Sequence, residues 1–94
     1  VSVSLREGRP IRRPGVWLRQ AGDENAVYDP LNESLHLLND TALAIWELCD
    51  GQTQPDEMVK AICELFGTPL EVVTEDVNRI LLDFERAGIV FWEE

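Results

Sequence analysis

The spacing of apolar residues changes once along this chain, at Leu38. Before it, apolar and polar positions alternate in short runs. After it, apolar positions recur every three or four residues, the period of a helix face. Three runs in the first part read as strands. Val16–Gln20 alternates Val16 and Leu18 against Trp17 and Arg19. Asn25–Asp29 follows the turn-like Ala21-Gly22-Asp23-Glu24, and Ser34–Leu38 follows Asp29-Pro30-Leu31-Asn32-Glu33. Connections this short predict an antiparallel meander.

Three helices are predicted after Leu38, each with start and stop chemistry. The first runs from about Asp40 to Cys49, with Asn39 or Asp40 as cap and Gly51 in the left-handed position at its end. Its apolar set of Leu43, Ala44, Ile45, Trp46, Leu48 and Cys49 covers more than half the circumference, which predicts a central helix. The second runs from about Pro55 to Phe66, with Thr53 and Asp56 as a capping pair and Gly67 as its stop. The third runs from about Pro69 to Ala87. Thr68-Pro69-Leu70-Glu71 reads as a full capping box with proline in the first helical position. Val73, Val77, Ile80, Leu81 and Phe84 form its apolar stripe, and Gly88 ends it. Ile89-Val90-Phe91-Trp92 is a short apolar tail.

The predicted class is therefore α+β, a three-stranded antiparallel sheet followed by three helices. Residues 1–14, rich in Arg, Gly and Pro and without periodicity, read as a flexible basic lead-in to a domain over 15–94. A three-stranded sheet has two edges, and an edge left open offers unpaired N–H and C=O groups to another chain.

Length and charge narrow the function. A chain of 94 residues, 45% of them apolar, is one domain near the small end of what folds alone, where a deep enzymatic cleft is not expected. The net charge of −10 is unevenly spread. Residues 1–20 hold five arginines against Glu7, a sum of +4; residues 21–94 hold three basic groups against seventeen acidic ones, a sum of −14. A body this acidic repels phosphate, so no nucleic-acid partner is expected.

Chemistry-bearing groups are sparse. Cys49 and Cys63 fall on apolar helical stretches without metal spacing and read as reduced core thiols, which points to a cytoplasmic setting. His36 is the single histidine, with no nucleophile or ligand partner to serve. No carboxylate pair, Ser/His/Asp set or phosphate loop is present. No catalytic residue, metal or cofactor is expected. No signal-peptide pattern appears, and no apolar run is long enough to span a bilayer.

The ordered set Leu38-Asn39-x-Thr41-Ala42-x-x-Ile45-x-x-Leu48-Cys49-Asp50-Gly51, then Thr53, Phe66-Gly67, Asp76-Val77 and Gly88-Ile89-Val90, resembles the PqqD-like family of small peptide chaperones. These are also called RiPP recognition elements. The resemblance spans roughly residues 16–92. It implies a winged helix-turn-helix-like fold and a non-enzymatic role: binding the leader of a ribosomally made precursor peptide and presenting it to a separate maturation enzyme of radical-SAM or protease type. It implies that the leader adds as a strand to the third strand, over Ser34, Leu35, His36, Leu37 and Leu38. The leader's apolar side chains would then enter a groove beside helix three, at Val73, Asp76, Val77, Arg79, Ile80, Asp83 and Phe84. Much of that helix stripe belongs to the core, so one edge of it is expected to line the groove.

The resemblance is weakest in the front third. Members serving pyrroloquinoline quinone usually have a proline-glutamate segment before the third strand, where Asp29-Pro30-Leu31-Asn32-Glu33-Ser34 of this chain reads as a plain hairpin turn, which speaks against that particular pathway. Standalone members also accompany lasso-peptide proteases, and one chain does not separate these pathways. Two further readings remain: a domain of a larger maturation enzyme, and a winged-helix DNA-binding regulator, which the acidic third helix opposes. An exposed edge strand leaves both a monomer and a strand-paired dimer open.

Overall fold

The computed structural model describes residues 5–93. In chain order the elements are β1 (Arg9–Arg12), β2 (Trp17–Ala21), β3 (Glu24–Asp29), β4 (Ser34–Leu38), α1 (Asp40–Leu48), α2 (Pro55–Phe66), α3 (Leu70–Arg86) and β5 (Val90–Glu93). The α+β class and the meander are as expected: β2, β3 and β4 form an antiparallel sheet in that order. Their register sets Leu18, Val27 and His36 in one row across the sheet, and Arg19, Ala26 and Leu37 in the next. Alternation then puts Val27 and Leu38 on the inner face and Leu35 and Leu37 on the outer one.

The inner face is covered by the helices. Val27 and Leu38 pack into one core with Ile45 and Trp46 of α1, Met58, Val59 and Ile62 of α2, and the whole predicted stripe of α3. Trp46 meets Phe84 edge to face, ring centroids 5.7 Å apart, an arrangement that aromatic quadrupoles favour. Asn39 caps α1 as predicted, its Oδ1 accepting from the Ala42 N–H at 2.8 Å. Gly67, at φ 65°, ends α2. At the end of α3 the Gly88 N–H donates to the Glu85 oxygen and the Ile89 N–H to that of Phe84. These paired bonds need a left-handed residue, and Gly88 supplies it at φ 74°.

Four expectations are corrected. The segment expected as a free lead-in holds β1, which pairs antiparallel with β5, Pro10 opposite Trp92 and Ile11 opposite Phe91. Residues 1–4 of that segment lie outside the described residues. On its other side β1 is tied to the α1–α2 loop: the Arg12 N–H donates to the Cys49 oxygen and the Gly51 N–H to the Pro10 oxygen, both at 3.0 Å. Main-chain pairing from two sides makes a strand of a sequence without strand periodicity. Second, Gly51 does not end α1. The helix stops at Leu48 with Cys49 as cap, and Gly51 turns the chain two residues later at φ 78°. Third, the α2 cap is Gln54, whose N–H donates to Glu57 Oε1 at 3.0 Å; Thr53 Oγ1 instead donates to Asp50 Oδ2 at 3.2 Å. Fourth, the α3 capping box does not form. Pro69 itself occupies the cap position, leaving Thr68 one residue too far out.

Candidate functional site

The tail could have closed the sheet by pairing with β4. It pairs with β1 instead, so among the described residues β4 has a neighbour on one side only, β3. Beside that free edge, between β4 and α3, lies a groove of about 260 Å³. His36, Leu37 and Leu38 form its strand wall; Ile80, Asp83, Phe84 and Ala87 form its α3 wall. Ala42 and Ile89 complete it.

The composition of the groove follows from local structure. Leu38 is the last inward position of β4, fixed by the Asn39 cap that starts α1 immediately after it. Ile80, Asp83, Phe84 and Ala87 fall at three- and four-residue spacing, one ridge of α3. Ala42 and Ala87 are small, and that is why there is a hollow: a larger side chain at either position would occupy it. The lining is mostly apolar, with Asp83 as its one carboxylate and His36 at the strand side. Ser34 Oγ and His36 Nε2 are hydrogen-bonded at 3.1 Å, which ties down the imidazole on the inner face of β4. Such a site offers main-chain bonding along an edge and burial for apolar side chains. Among the described residues no group of three His, Cys, Asp or Glu side chains is placed to hold a metal ion.

Of the twelve residues expected at the site, six meet at the groove: His36, Leu37, Leu38, Ile80, Asp83 and Phe84. Leu35 lies on the opposite face of the same strand. Ser34 stands at the start of β4, opposite Asp29. Val73 and Val77 are fully in the core. Asp76 and Arg79 form an ion pair at 3.3 Å along α3 and do not line the groove. Sequence reasoning missed Ala42, Ala87 and Ile89. Small residues flanking a helix stripe are a visible signal of a vacancy, but only once the facing strand is known.

Asp29 and Cys49, next to this architecture, have displaced titrations. Asp29, buried at the end of β3, is penalised by that burial. The Asn32 side chain, the Arg13 guanidinium and the Asn32 N–H outweigh the penalty and hold its carboxyl below the usual range. Arg13 thereby ties the end of the β1 segment to the turn that precedes β4. Burial pushes the Cys49 thiol up to about 12, against the pull of Arg12 and with a contribution from Asp50. Cys49 is a protonated core thiol.

The sequence family model for Coenzyme PQQ synthesis protein D (PqqD) matches residues 24–90. The chain belongs to the PqqD family. The match runs from the first residue of β3 to the first of β5, and so contains β4, α3 and the groove between them. Solved structures share the fold. One is TbiB1 in complex with the TbiA(beta) leader peptide, 20% identical, with a TM-score of 0.73 over 85% of this chain and 93% of that one. Another is lasso peptide synthetase B1 complexed with the leader peptide, 16% identical, with a TM-score of 0.77 over 88% and 98%. A third is the PqqD truncation of Methylobacterium extorquens PqqCD, a stand-alone RiPP recognition element, 19% identical, with a TM-score of 0.73 over 87% of each chain. No curated protein matches this PqqD-family chain in sequence.

Proposed function

We propose that this chain is a non-enzymatic recognition element that takes the leader segment of a ribosomally synthesised precursor peptide as an added strand on β4. It holds that segment for a separate maturation enzyme of radical-SAM or protease type, in the cytoplasm. The observation that carries this reading is the unpaired β4 edge beside an apolar groove. The same fold is found in two structures that hold a leader peptide. The sheet and three helices also fit a winged helix-turn-helix-like outline.

Magnitudes favour anchors over the strand ladder. Each main-chain hydrogen bond contributes only about 0.5–1.5 kcal/mol net. Ordering a flexible segment costs roughly 2–5 kcal/mol. Side chains entering the groove, at about 1.5–3 kcal/mol each when fully buried, decide whether binding is measurable. The acidic body adds attraction for basic leader residues, with Asp83 at the groove as the nearest carboxylate.

The PqqD part of the Methylobacterium protein belongs to a longer PqqCD chain, which supports a second reading, an accessory domain of a larger enzyme. A DNA-binding role is disfavoured by α3, where Glu71, Glu75, Asp76, Asp83 and Glu85 outnumber Arg79 and Arg86. Among the described residues no helix is long and apolar enough to cross a membrane.

The test is calorimetric titration with the leader of the precursor encoded beside this chain, using Leu37→Asp and Ala87→Phe. The first puts a charge on an exposed outward position at the free edge of β4, and the second fills the groove. Binding by the parent chain and loss of about tenfold or more in each folded variant supports the reading; unchanged binding refutes it.

A further inference from the structure

The free edge strand β4 has a second apolar side. On the outer face of the sheet, Trp17, Tyr28 and Leu35 form one cross-strand row and Arg19, Ala26 and Leu37 the next. Much of this face is open: Trp17 is 57% exposed, Leu35 58% and Leu37 69%, while Ala26 is buried between its neighbours. The Trp17 and Tyr28 rings stand 6.0 Å apart, and the Arg19 guanidinium lies 5.6 Å from the Tyr28 ring. Over the second row, extending towards the β2–β3 turn, is a hollow of about 380 Å³ whose lining includes Ala26, Leu35, Leu37, Arg19, Ala21 and Glu24. Leu37 is common to this hollow and to the groove.

Solvent-facing sheet faces are ordinarily polar, and exposed edges are ordinarily blunted by charge. β4, read Ser-Leu-His-Leu-Leu, carries no acidic residue, lysine or arginine and places two leucines outward at its unpaired edge. A strand added there must alternate its side chains between the two faces. If one set enters the groove by α3, the other set lies on the outer face, directly beside Leu35 and Leu37 at cross-strand distance, roughly 4.5–5.5 Å. The two outer rows then run on through the ligand.

We infer that the bound leader is read on both faces: its groove anchors alternate with apolar residues that pack outward against Leu35 and Leu37. Long or aromatic side chains suit those outward positions, because they lean over Leu37 towards the hollow floored by Ala26. The ligand class is therefore an extended segment with adjacent apolar residues, not an amphipathic strand with one apolar face. This rests on the leader-binding reading above.

Selection of random dodecapeptides displayed on phage separates the two claims. The chain is used as bait in three forms: unaltered, Leu35→Thr and Ala87→Phe. Leu35→Thr keeps strand propensity and does not touch the groove, and circular dichroism verifies that it is folded. Both readings predict peptides that bind the unaltered chain and fail on Ala87→Phe. The two-face reading further predicts apolar enrichment at both alternations. It also predicts loss of that preference at one alternation on Leu35→Thr, where the best peptide binds about two- to fivefold more weakly. Apolar enrichment at one alternation only, indifferent to Leu35→Thr, overturns the inference and assigns the outer face to another protein or a second copy. Peptides indifferent to Ala87→Phe, or none at all, overturn leader binding in the groove as well.

Discussion

Arg12 Nη1 donates to the main-chain oxygen of Trp46 at 3.0 Å, and the same guanidinium stands 6.0 Å from that residue's indole ring. A second bond from Nη1 reaches the Glu47 oxygen at 2.9 Å. The last turn of α1 contains no basic residue of its own; the cation that meets its carbonyl end arrives from the N-terminal segment. Arg12→Ala is therefore expected to destabilise the fold by about 1–2 kcal/mol, while Arg9→Ala, at an exposed position of the same strand, leaves stability nearly unchanged. Urea unfolding of the two variants checks this. Equal effects would return the segment to the role of a loose arm.

Gly51 sits at φ 78°, and a Cβ there would lie 3.1 Å from Ile11 Cδ1. Gly22, at φ 61°, has open space around it. Both alanine variants bear the left-handed cost of roughly 1–2 kcal/mol, but only Gly51→Ala also crowds β1. The expected order of thermal midpoints is parent, then Gly22→Ala, then Gly51→Ala, and a reversed order would contradict the packing of Ile11 on this turn.

Asp29 gives the fold an acid limit. Its carboxyl is held below the ordinary value in the folded state, so its contribution is complete above the unfolded-state value of about 3.9 and is lost as pH falls through the lower folded value. Asp29→Asn should be less stable than the parent at neutral pH, with the difference shrinking below about pH 4. Chemical denaturation from neutral pH downwards measures this. A difference that stays constant with pH would mean that the Asn32 and Arg13 contacts do not favour the charged carboxylate.

The two thiols should differ sharply. Cys49 is buried with its titration raised to about 12, whereas Cys63 is only partly covered. At mildly alkaline pH a disulfide reagent should modify one thiol in the folded protein and the second only on unfolding. Simultaneous reaction of both would contradict the packing of Cys49.

The parts legible in the sequence are those where local pattern and tertiary need coincide. The α3 stripe, the Asn39 cap and the span of β4 are read correctly because each is written in contiguous residues. The caps of α2 and α3 are displaced by one residue, since Thr-x-x-acid spacing fits two registers and prolines at 55 and 69 decide between them only in three dimensions. β1 was illegible: Pro10 breaks the alternation, and its pairing partners at 49–51 and 90–93 are remote in sequence. Half of the expected site residues converge on the groove for a similar reason. Helical period gives the face of α3 but not which flank of that face meets β4. Val73 and Val77 point to the core, and Ile80 and Phe84 reach the groove.

The free edge of β4 carries the proposed leader site. Amide hydrogen exchange of the chain with and without the leader of its own precursor tests it most directly. The predicted result is new protection along Ser34–Leu38, with the exposed edge at Trp17–Ala21 unchanged. Protection that appears at Trp17–Ala21 while Ser34–Leu38 exchanges as before would contradict it.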